Sequence, residues 1–570
     1  MKMQTYESFY DEYQVIHAST LIVGSGAAGW NAAETLAAAG QEDVVLVSAS
    51  INAGTSRNSG SDKQTYYKLS LASDTPDSVA EMASDLFQGG SVDGDIAYCE
   101  AAGSVYSFMK LAKLGVKFPF NEFGEYVGYK TDHDPRQRAT SSGPLTSKDM
   151  TEALERAVVN DGTVRIMDKM MVFDLIVVGG EIRGALAVDL TNPSYEQAKL
   201  VIFLSDTVIL ATGGTAAVYK RVVFPPSQHG MLGMAIRAGA KIQNLQEWQY
   251  GLASTTFRWN VSGTYQQVLP RYVSVDEEGV EREFLSEYLS ETDELDYIFL
   301  KGYQWPFDVK KIDGSSMIDI LVFHETEVLG RRVYMDFMRN PKAYRADLSN
   351  VSEETKEYLL NSGATQETPF LRLQHMNPAA IELYRNNKID LETEMLEVAV
   401  CAQHLNGGLA VDTHWETSIK GLYCVGEAAG TFGVYRPGGS ALNSGQVGSK
   451  RAAEHIAFTA KSKVTEPIDL KDHPDIGDQI ESAISLLHQW ALSEEDHFAG
   501  SYREEMSKSA AQIRVLSELS VIRDSLANEN DADRTSGGLA LSLIERDARL
   551  TQRALIESIE KAAEHFGSRG

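Results

Sequence analysis

Three glycines near the amino terminus constrain the fold of this chain more than any other feature. An apolar run, residues 20–23, leads into Gly24, Gly26 and Gly29, which are spaced G-x-G-x-x-G, and an alanine-rich helical stretch follows at once. Gly24 permits a tight turn, Gly26 lets the backbone approach a pyrophosphate, and Gly29 lets the helix pack close to the strand. The positive end of that helix then faces the phosphate charge. This order of strand, glycines and helix predicts a dinucleotide-binding site.

Length and composition indicate a protein of several domains. The 570 residues exceed what one simple core holds, so about two to four domains are expected. Hydrophobic residues make up 43% and charged residues 23%, which is typical of a soluble globular protein. No apolar run approaches the ~20 residues of a membrane span, and the amino terminus lacks a basic-then-apolar signal segment. We therefore expect a cytoplasmic protein without a membrane span.

Charge and cysteine content argue against several classes of function. The formal net charge of −28 at pH 7 would repel phosphates, so nucleic acid is not an expected partner. The three cysteines, Cys99, Cys401 and Cys424, lie far apart and form no C-x-x-C pair. This spacing argues against a disulfide framework, an iron–sulfur cluster or an attached haem, and we predict no metal site.

The pattern of strands and glycines divides the chain into four parts. A second strand, residues 44–47, ends at Ser48, where many dinucleotide folds place an acidic residue. Another buried strand, residues 206–211, ends at Thr212 and Gly213 and is suited to pass close to a nucleotide. An aromatic-rich segment follows, then glycine-rich sequence returns, and the last part carries apolar stripes at helical spacing. The predicted domains are a first nucleotide-binding piece (1–244), an inserted domain (245–395), a second nucleotide-binding piece (396–462) and a helical domain (463–570).

A second glycine-rich signature lies at residues 421–448. A strand there delivers Glu427 to the nucleotide, and a glycine-rich loop carrying Arg436 then leads into a helix. The positive amino terminus of that helix can face the pyrimidine edge of a flavin and stabilise negative charge on the reduced ring. An ordinary surface loop would explain these glycines alone, but not their occurrence together with the amino-terminal motif.

These segments resemble the flavoprotein family of fumarate reductase and succinate dehydrogenase, which includes aspartate oxidase, adenylylsulfate reductase and 3-ketosteroid dehydrogenase. The matching segments cover nearly the whole chain and are residues 44–48, 211–214, 230–240, 404–408, 436–442 and 567–570. The resemblance implies an α/β fold: a Rossmann-like FAD-binding domain in two sequence pieces, a mobile capping domain inserted between them, and a carboxy-terminal helical domain. The residues predicted to bind FAD are Gly24, Ser25, Gly26, Ala28, Gly29, Ser48, Ala211, Thr212, Gly213, Glu427, Ser440, Ala441 and Leu442.

The resemblance also bears on how FAD is attached. Membrane-bound members attach FAD through a histidine shortly after the second strand. The nearest residues here are Thr55, Ser56 and Arg57, and no histidine lies between His17 and His133. We therefore predict non-covalent FAD.

Three polar positions of the family's substrate site are replaced in this chain. Gly251 stands where a substrate-binding histidine is expected, Phe307 where the proton-donating arginine is expected, and Phe432 where another histidine is expected. Only His404 and Arg436 match the family's substrate apparatus directly. Two desolvated carboxylates need several charge-assisted donors, so unsubstituted fumarate or succinate is a poor substrate for such a pocket.

The predicted catalytic residues are His404, Arg436 and Arg258. Arg436 would orient an anionic or carbonyl group, and His404, whose ordinary pKa lies near neutrality, would hydrogen-bond it or act as acid or base. Arg258 lies early in the inserted domain, in a place that resembles that of a substrate arginine in adenylylsulfate reductase, although an ordinary ion pair is the simpler explanation. Weaker candidates, for which packing is the simpler explanation, are Tyr250, Tyr265 and His375. Histidines without motif support are His229 and His324.

The resemblance implies an FAD-dependent oxidoreductase that transfers a hydride between flavin N5 and a carbon atom of a small organic substrate. Reduction of an activated C=C bond and the reverse dehydrogenation are both open. Two alternatives are an oxidase or dehydrogenase of C–N or C–OH bonds, and a flavoprotein subunit of an electron-transfer complex similar to adenylylsulfate reductase. The sequence contains no haem motif, FMN-attachment domain or cysteine cluster, so we expect a separate electron donor or acceptor.

Overall fold

The computed structural model describes residues 13–72, 76–131, 134–192, 194–195, 198–460, 474–492, 502–528, 535 and 537–565. His133 and the family-like segment 567–570 lie outside the described residues. The strands are β1 (Gln14–His17), β2 (Thr20–Val23), β3 (Val44–Val47), β4 (Tyr66–Tyr67), β5 (Ala139–Thr140), β6 (Arg165–Met167), β7 (Met170–Val178), β8 (Glu181–Asp189), β9 (Lys199–Leu204), β10 (Val208–Leu210), β11 (Ile242–Gln243), β12 (Trp248–Ser254), β13 (Trp259–Asn260), β14 (Arg271–Val275), β15 (Glu281–Arg282), β16 (Arg332–Asp336), β17 (Leu396–Leu405), β18 (Gly408–Leu409) and β19 (Leu422–Cys424). The α-helices are α1 (Ala27–Ala38), α2 (Thr55–Asn58), α3 (Val79–Phe87), α4 (Gly94–Lys113), α5 (Thr146–Asp161), α6 (Gly233–Arg237), α7 (Thr264–Gln267), α8 (Glu291–Leu300), α9 (Ser316–Phe323), α10 (Glu353–Asn361), α11 (Pro369–Met376), α12 (Pro378–Asn386), α13 (Ser440–Ala460), α14 (Pro474–Leu492), α15 (Arg503–Ser509), α16 (Leu516–Asn528) and α17 (Leu539–His565).

A five-stranded parallel sheet, in the order β19-β10-β2-β3-β6, contains the strands of both glycine-rich signatures. Strands β2, β3, β10 and β19 are mostly apolar and fully buried, as is usual for parallel strands covered on both faces. Helix α1 connects β2 to β3 and packs against α5 and α13. The predicted order of strand, glycine turn, helix and strand is confirmed.

A smaller four-stranded sheet has the order β1-β9-β8-β7. Strand β1 pairs in parallel with β9, whereas β9, β8 and β7 are antiparallel neighbours. Gly179 and Gly180 form the turn between β7 and β8, with φ of 60° and 80°. Because glycine adopts these left-handed values readily, the pair fits a tight hairpin, and the predicted turn is confirmed.

The segment between the two glycine-rich regions builds most of a six-stranded antiparallel sheet, in the order β13-β12-β17-β16-β14-β15. Strand β17 begins at residue 396, in the segment predicted as the second nucleotide-binding piece, and pairs with β12 and β16. Gln249, near the start of β12, lies opposite His404, near the end of β17, and the register shifts between Gln249 and Tyr250. The long antiparallel pairing therefore brings two distant polar residues together at one end of the sheet.

The carboxy-terminal part is helical, as predicted, and α17 packs against α6 and β7. Asp547 of α17 is buried and accepts hydrogen bonds from the backbone N–H groups of Gly233 (3.0 Å) and Met234 (2.7 Å). These bonds satisfy N–H groups that have no partner within α6. Residues of the predicted apolar stripes that are buried include Ile476, Ile480, Leu487, Leu519, Ile522, Leu526, Leu543, Leu555 and Ile559. Among the described helices, none combines the length and the apolar character that a bilayer span requires.

Candidate active site

The amino-terminal glycines form a turn that leaves no room for a side chain at Gly24 or Gly29. Gly24 has a φ of 114°, and a Cβ atom there would stand 2.3 Å from the carbonyl oxygen of Ala211. A Cβ atom on Gly29 would stand 2.0 Å from the carbonyl oxygen of Gly24, so the first turn of α1 packs directly on the loop. Backbone without side chains therefore lies at the amino terminus of α1, and this is the arrangement that binds a pyrophosphate.

A cavity of 740 Å³ extends from these glycines to the end of β17. Cofactor and ligand pockets commonly measure about 300–1,000 Å³. The predicted cofactor-binding residues that line it are Gly24, Ser25, Gly26, Ala28, Ser48, Ala211, Thr212, Gly213, Glu427, Ala441 and Leu442. Gly29 lies behind the turn, and Ser440 is buried with its hydroxyl donating to the carbonyl oxygen of Pro437 at 2.8 Å. The structure therefore brings residues of both glycine-rich signatures to one cavity.

Ser48 ends β3 where an acidic residue is common, and it joins a chain of serine contacts. The Ser25 hydroxyl donates to Ser48 Oγ at 3.0 Å, and the Ser48 hydroxyl donates to the carbonyl oxygen of Ser50 at 2.9 Å. All three serines line the cavity. At this edge the site therefore offers neutral hydroxyl groups where related folds place a carboxylate.

Glu427 is half-buried in the cavity wall, where three stretches of backbone converge. Its Oε1 accepts a hydrogen bond from the backbone N–H of Leu405 at 2.9 Å. A Cβ atom on Gly214 would stand 2.4 Å from the same oxygen, so the carboxyl packs directly on the backbone of Gly214. Burial raises the pKa of Glu427 to about 7. This carboxyl is therefore fixed at the end of β19 and changes its protonation near neutral pH.

His404 and Arg436, the two residues that match the family's substrate apparatus, line the same cavity. His404 is buried near the end of β17, and Arg436 is half-buried in the loop before α13. The centre of the Phe432 ring lies 5.9 Å from the His404 ring centre and 5.6 Å from the Arg436 guanidinium. Burial, followed by the charge of Arg436, lowers the pKa of His404 well below its ordinary value. The site thus combines a fixed positive charge with a neutral imidazole.

Gln228 connects the strand end after β10 to α2 within the cavity wall. Its Nε2 donates to the carbonyl oxygens of Thr212 and Gly214, both at 2.9 Å, and its Oε1 accepts from the backbone N–H of Thr55 at 3.3 Å. No periodic pattern or motif along the chain indicates Gln228. Its role depends on contacts between segments that are far apart in sequence.

The residues present fit FAD. The glycine turn is a cradle whose close packing excludes Cβ atoms at Gly24 and Gly29, and the cavity reaches from that cradle to His404 and Arg436. Helix α2, which contains the residues where the resemblance expects an attachment histidine, contains none. Among the described residues that line the cavity, the histidines are His229 and His404, and neither belongs to α2.

Arg258 lies outside the described lining of the cavity. Its guanidinium donates to the carbonyl oxygen of Phe224 at 2.9 Å. The structure therefore does not bring Arg258 to the surface that His404 and Arg436 share. The weaker sequence candidates that also lie outside the described lining are Tyr250, Tyr265, His375 and His324.

Two glutamines that sequence reasoning missed line the cavity next to His404. Gln249 lies opposite His404 in the pairing of β12 with β17, and Gln403 precedes His404. The Gln403 Nε2 donates to the carbonyl oxygen of Gly251 at 2.9 Å. A signal was present, because residues 398–402 are all apolar and a polar pair then follows within the strand. Polar residues that interrupt an apolar buried strand indicate a functional edge.

The segment around Phe307, where the resemblance expects a proton-donating arginine, contributes the indole of Trp305 to the cavity instead. Trp305 and Pro306 line the cavity, whereas Phe307 is buried outside the described lining. The backbone N–H of Phe307 donates to the carbonyl oxygen of Tyr250 at 2.7 Å. A Cβ atom on Gly251 would stand 3.1 Å from the Trp305 ring. This side of the cavity is therefore aromatic where the resemblance places polar groups.

Comparison with known proteins agrees with the cradle and the cavity. The family model described as FAD binding domain matches residues 19–442. L-aspartate oxidase from Streptomyces coelicolor is 25% identical over 471 residues, which cover 80% of this chain and 72% of that protein. One chain of the fumarate reductase (CoM/CoB) from Methanothermobacter marburgensis is 26% identical over 465 residues, which cover 79% of this chain and 74% of that protein.

The fold is similar to that of solved flavoproteins. The Mycobacterium smegmatis Sdh1 complex in the apo form superposes with a TM-score of 0.71 at 16% identity, covering 98% of this chain and 89% of that chain. The family match spans well over half of the sequence and includes the glycine cradle. The chain therefore belongs to the FAD binding domain family, with fumarate reductase and aspartate oxidase among its relatives, and is an FAD-dependent oxidoreductase.

Proposed function

We propose that this protein transfers a hydride between flavin N5 and a carbon atom of a small anionic organic substrate, by reduction of an activated C=C bond or the reverse dehydrogenation. The observation that carries the proposal is that His404 and Arg436 line the same cavity as the glycine cradle, although they come from separate parts of the chain. Bound FAD supplies the site that accepts or returns the hydride. The protein supplies the binding and orientation of the substrate.

Arg436 and His404 have different tasks in this proposal. Arg436 binds the anionic or carbonyl group, because a guanidinium forms charge-assisted, bidentate hydrogen bonds in a planar fork. His404 is neutral, since burial and the nearby arginine disfavour a second positive charge. It therefore orients the substrate as a neutral group, by hydrogen bonding. The Phe432 ring contacts both side chains and adds an apolar surface beside them.

Fumarate itself is a poor fit to this cavity. Gly251 and Phe432 replace imidazoles that the family resemblance expects, and Trp305 contributes an aromatic wall. A second carboxylate placed against this aromatic wall would be desolvated, which is costly. A substrate with one anionic group and a less polar remainder suits the lining better.

Oxidation of a C–N or C–OH bond is the second candidate. Several relatives are named L-aspartate oxidase, including the Streptomyces coelicolor protein. A neutral imidazole also suits this chemistry, because such a substrate must lose an N–H or O–H proton as the hydride leaves. We further propose a separate electron donor or acceptor; the apo Sdh1 structure, named as a complex, offers a precedent for a flavoprotein that works with partners.

The test is a substrate screen followed by substitution of the two residues. Anaerobic bleaching of oxidised flavin, or reoxidation of dithionite-reduced flavin, identifies a substrate. Arg436→Ala should then lose roughly 1.5–3 kcal/mol of substrate interaction, and Arg436→Lys should recover only part of it. His404→Ala should lower turnover more than it weakens FAD binding. Near-normal turnover in both alanine variants, with FAD content unchanged, would place the active site elsewhere.

A further inference from the structure

Two buried acceptor atoms at the end of β17 have no hydrogen-bond partner among the described residues. They are His404 Nε2 and Gln403 Oε1, and both residues line the cavity. His404 is 7% exposed and Gln403 is 9% exposed, so bulk water does not solvate them freely. Buried polar atoms are normally paired, and a lasting exception in a cavity wall indicates a place for a ligand atom.

The backbone decides which nitrogen of His404 carries the proton. Asn406 is fully buried, and its Nδ2 donates to the carbonyl oxygen of Gly433 at 2.8 Å. The amide orientation is therefore fixed, and Asn406 Oδ1 is left to face His404 Nδ1 at 3.0 Å. Since that oxygen can only accept, Nδ1 must donate, and the proton of the neutral ring lies on Nδ1. His404 Nε2 is consequently an unprotonated acceptor.

The amide of Gln403 is oriented in the same manner. Its Nε2 donates to the carbonyl oxygen of Gly251 at 2.9 Å. Rotating the amide would place Oε1 against that carbonyl, so two acceptors would face each other. Gln403 Oε1 is therefore the atom left for a ligand. Two adjacent residues of one strand thus provide acceptors, and neither carries a charge.

Resting on the proposed function, we propose that the substrate is a small acid that carries a hydroxyl or amino group, and that His404 Nε2 and Gln403 Oε1 accept its O–H or N–H hydrogens while Arg436 binds its acidic group. An acid without such a group would place oxygen atoms or hydrocarbon against two buried acceptors and leave them unpaired. The lowered pKa of His404 supports this assignment, because a protonated ring would be a donor at Nε2. Within the proposed function, the inference favours the second candidate, oxidation of a C–OH or C–N bond, over reactions of unsubstituted dicarboxylates.

The first test measures binding to the FAD-loaded protein through the perturbation of flavin absorbance, under anaerobic conditions. The probes are matched acids of three sizes: lactate, alanine and propionate; malate, aspartate and succinate; mandelate, phenylglycine and phenylacetate. In the size class that fits, the hydroxyl or amino acid should bind at least about tenfold more tightly than its parent acid. Equal binding within every class, or tighter binding of a parent acid, overturns the proposal.

Substitutions test the two acceptors separately. Gln403→Leu keeps a similar volume and should reduce the preference for the donor-bearing probe by about tenfold while leaving the parent acid nearly unaffected. Asn406→Asp should stabilise the protonated ring, turn Nε2 into a donor and lower the preference further. The matched control is Gln41→Leu, at a glutamine that follows α1 at the end away from the cavity, and it should leave the preference unchanged. An unchanged preference in Gln403→Leu overturns its role.

A direct measurement of the ring does not depend on any substrate. In protein labelled with ¹⁵N-histidine, and with the signals assigned through His404→Gln, Nε2 of His404 should show the chemical shift of an unprotonated imidazole nitrogen. A protonated Nε2 near neutral pH overturns the assignment. Failure of the proposed function is a separate outcome. If the hydroxyl or amino acids bind more tightly but none of the bound probes reduces the flavin under anaerobic conditions, hydride transfer is contradicted. The assignment of His404 Nε2 and Gln403 Oε1 as acceptors would still stand.

Discussion

Replacing Gly29 by alanine tests the cradle directly, because the gain in helix propensity and the steric cost of the added Cβ atom have opposite signs. In the interior of an exposed helix, glycine to alanine stabilises a protein by about 1 kcal/mol. At Gly29 the added Cβ atom would stand 2.0 Å from the carbonyl oxygen of Gly24, whereas ordinary contact begins at 3.4 Å. The turn and α1 must therefore separate by more than an ångström. Overpacking of this kind costs about 1–3 kcal/mol.

That displacement moves the loop against which the pyrophosphate is expected to lie. Because each 1.4 kcal/mol corresponds to a factor of ten, Gly29→Ala should weaken FAD binding by roughly 5–150-fold if the whole cost falls on the bound state. The assay is titration of the apoprotein with FAD, followed by quenching of flavin fluorescence, together with the melting temperature of the apoprotein. Gly29→Ala should lower both the affinity and the melting temperature.

Gly477→Ala is the matched control. Gly477 lies inside helix α14, and a Cβ atom there meets nothing within 4 Å. The same chemical change should therefore leave FAD affinity unaltered and raise the melting temperature slightly. If Gly29→Ala bound FAD as tightly as the wild type and melted at the same temperature, the close packing of α1 on the turn would not be what holds the cofactor site.

Three further predictions concern the cofactor, the substrate and pH. Acid precipitation should release yellow FAD into the supernatant, because α2 lacks an attachment histidine; flavin retained on the denatured chain would contradict this. Fumarate reduction with reduced viologen should be negligible, because Gly251, Phe307 and Phe432 stand at polar family positions; robust turnover would show that these segments are wrongly matched. In the apoprotein, the folded-state pKa of Glu427 of about 7 exceeds its ordinary value of 4.5, so the folded state binds more protons between these pH values and its contribution to stability falls as pH rises. The free energy of unfolding of Glu427→Gln, measured with denaturant, should therefore exceed that of the wild type by an amount that grows from about pH 4.5 to 7 and then stays constant. A difference that does not change with pH would contradict the raised pKa.

Local spacing along the chain was enough to predict the dinucleotide site, whereas the fold class was implied by the resemblance to a known flavoprotein family. Gly24 and Gly29 lie within a few residues of each other, so one short motif contains the glycines that the turn and the helix end require. The same holds for the apolar runs of β2 and β3 and for the glycine-rich loop that carries Arg436. Structures of this kind depend on near neighbours in the chain, so a short motif is enough to predict them.

Which side chains share the cavity is settled only when distant segments pack together. Gln249 and Gln403 meet His404 only because β12 pairs with β17 in one register, and a shift of one residue would turn them to the other face. Arg258 lies outside the described cavity lining for the same kind of reason, since its guanidinium is held by the carbonyl oxygen of Phe224. The protonation of His404 likewise depends on Gly433, whose carbonyl fixes the amide of Asn406. Cross-strand register and amide orientation arise from contacts between distant segments, and no local pattern of residues encodes them.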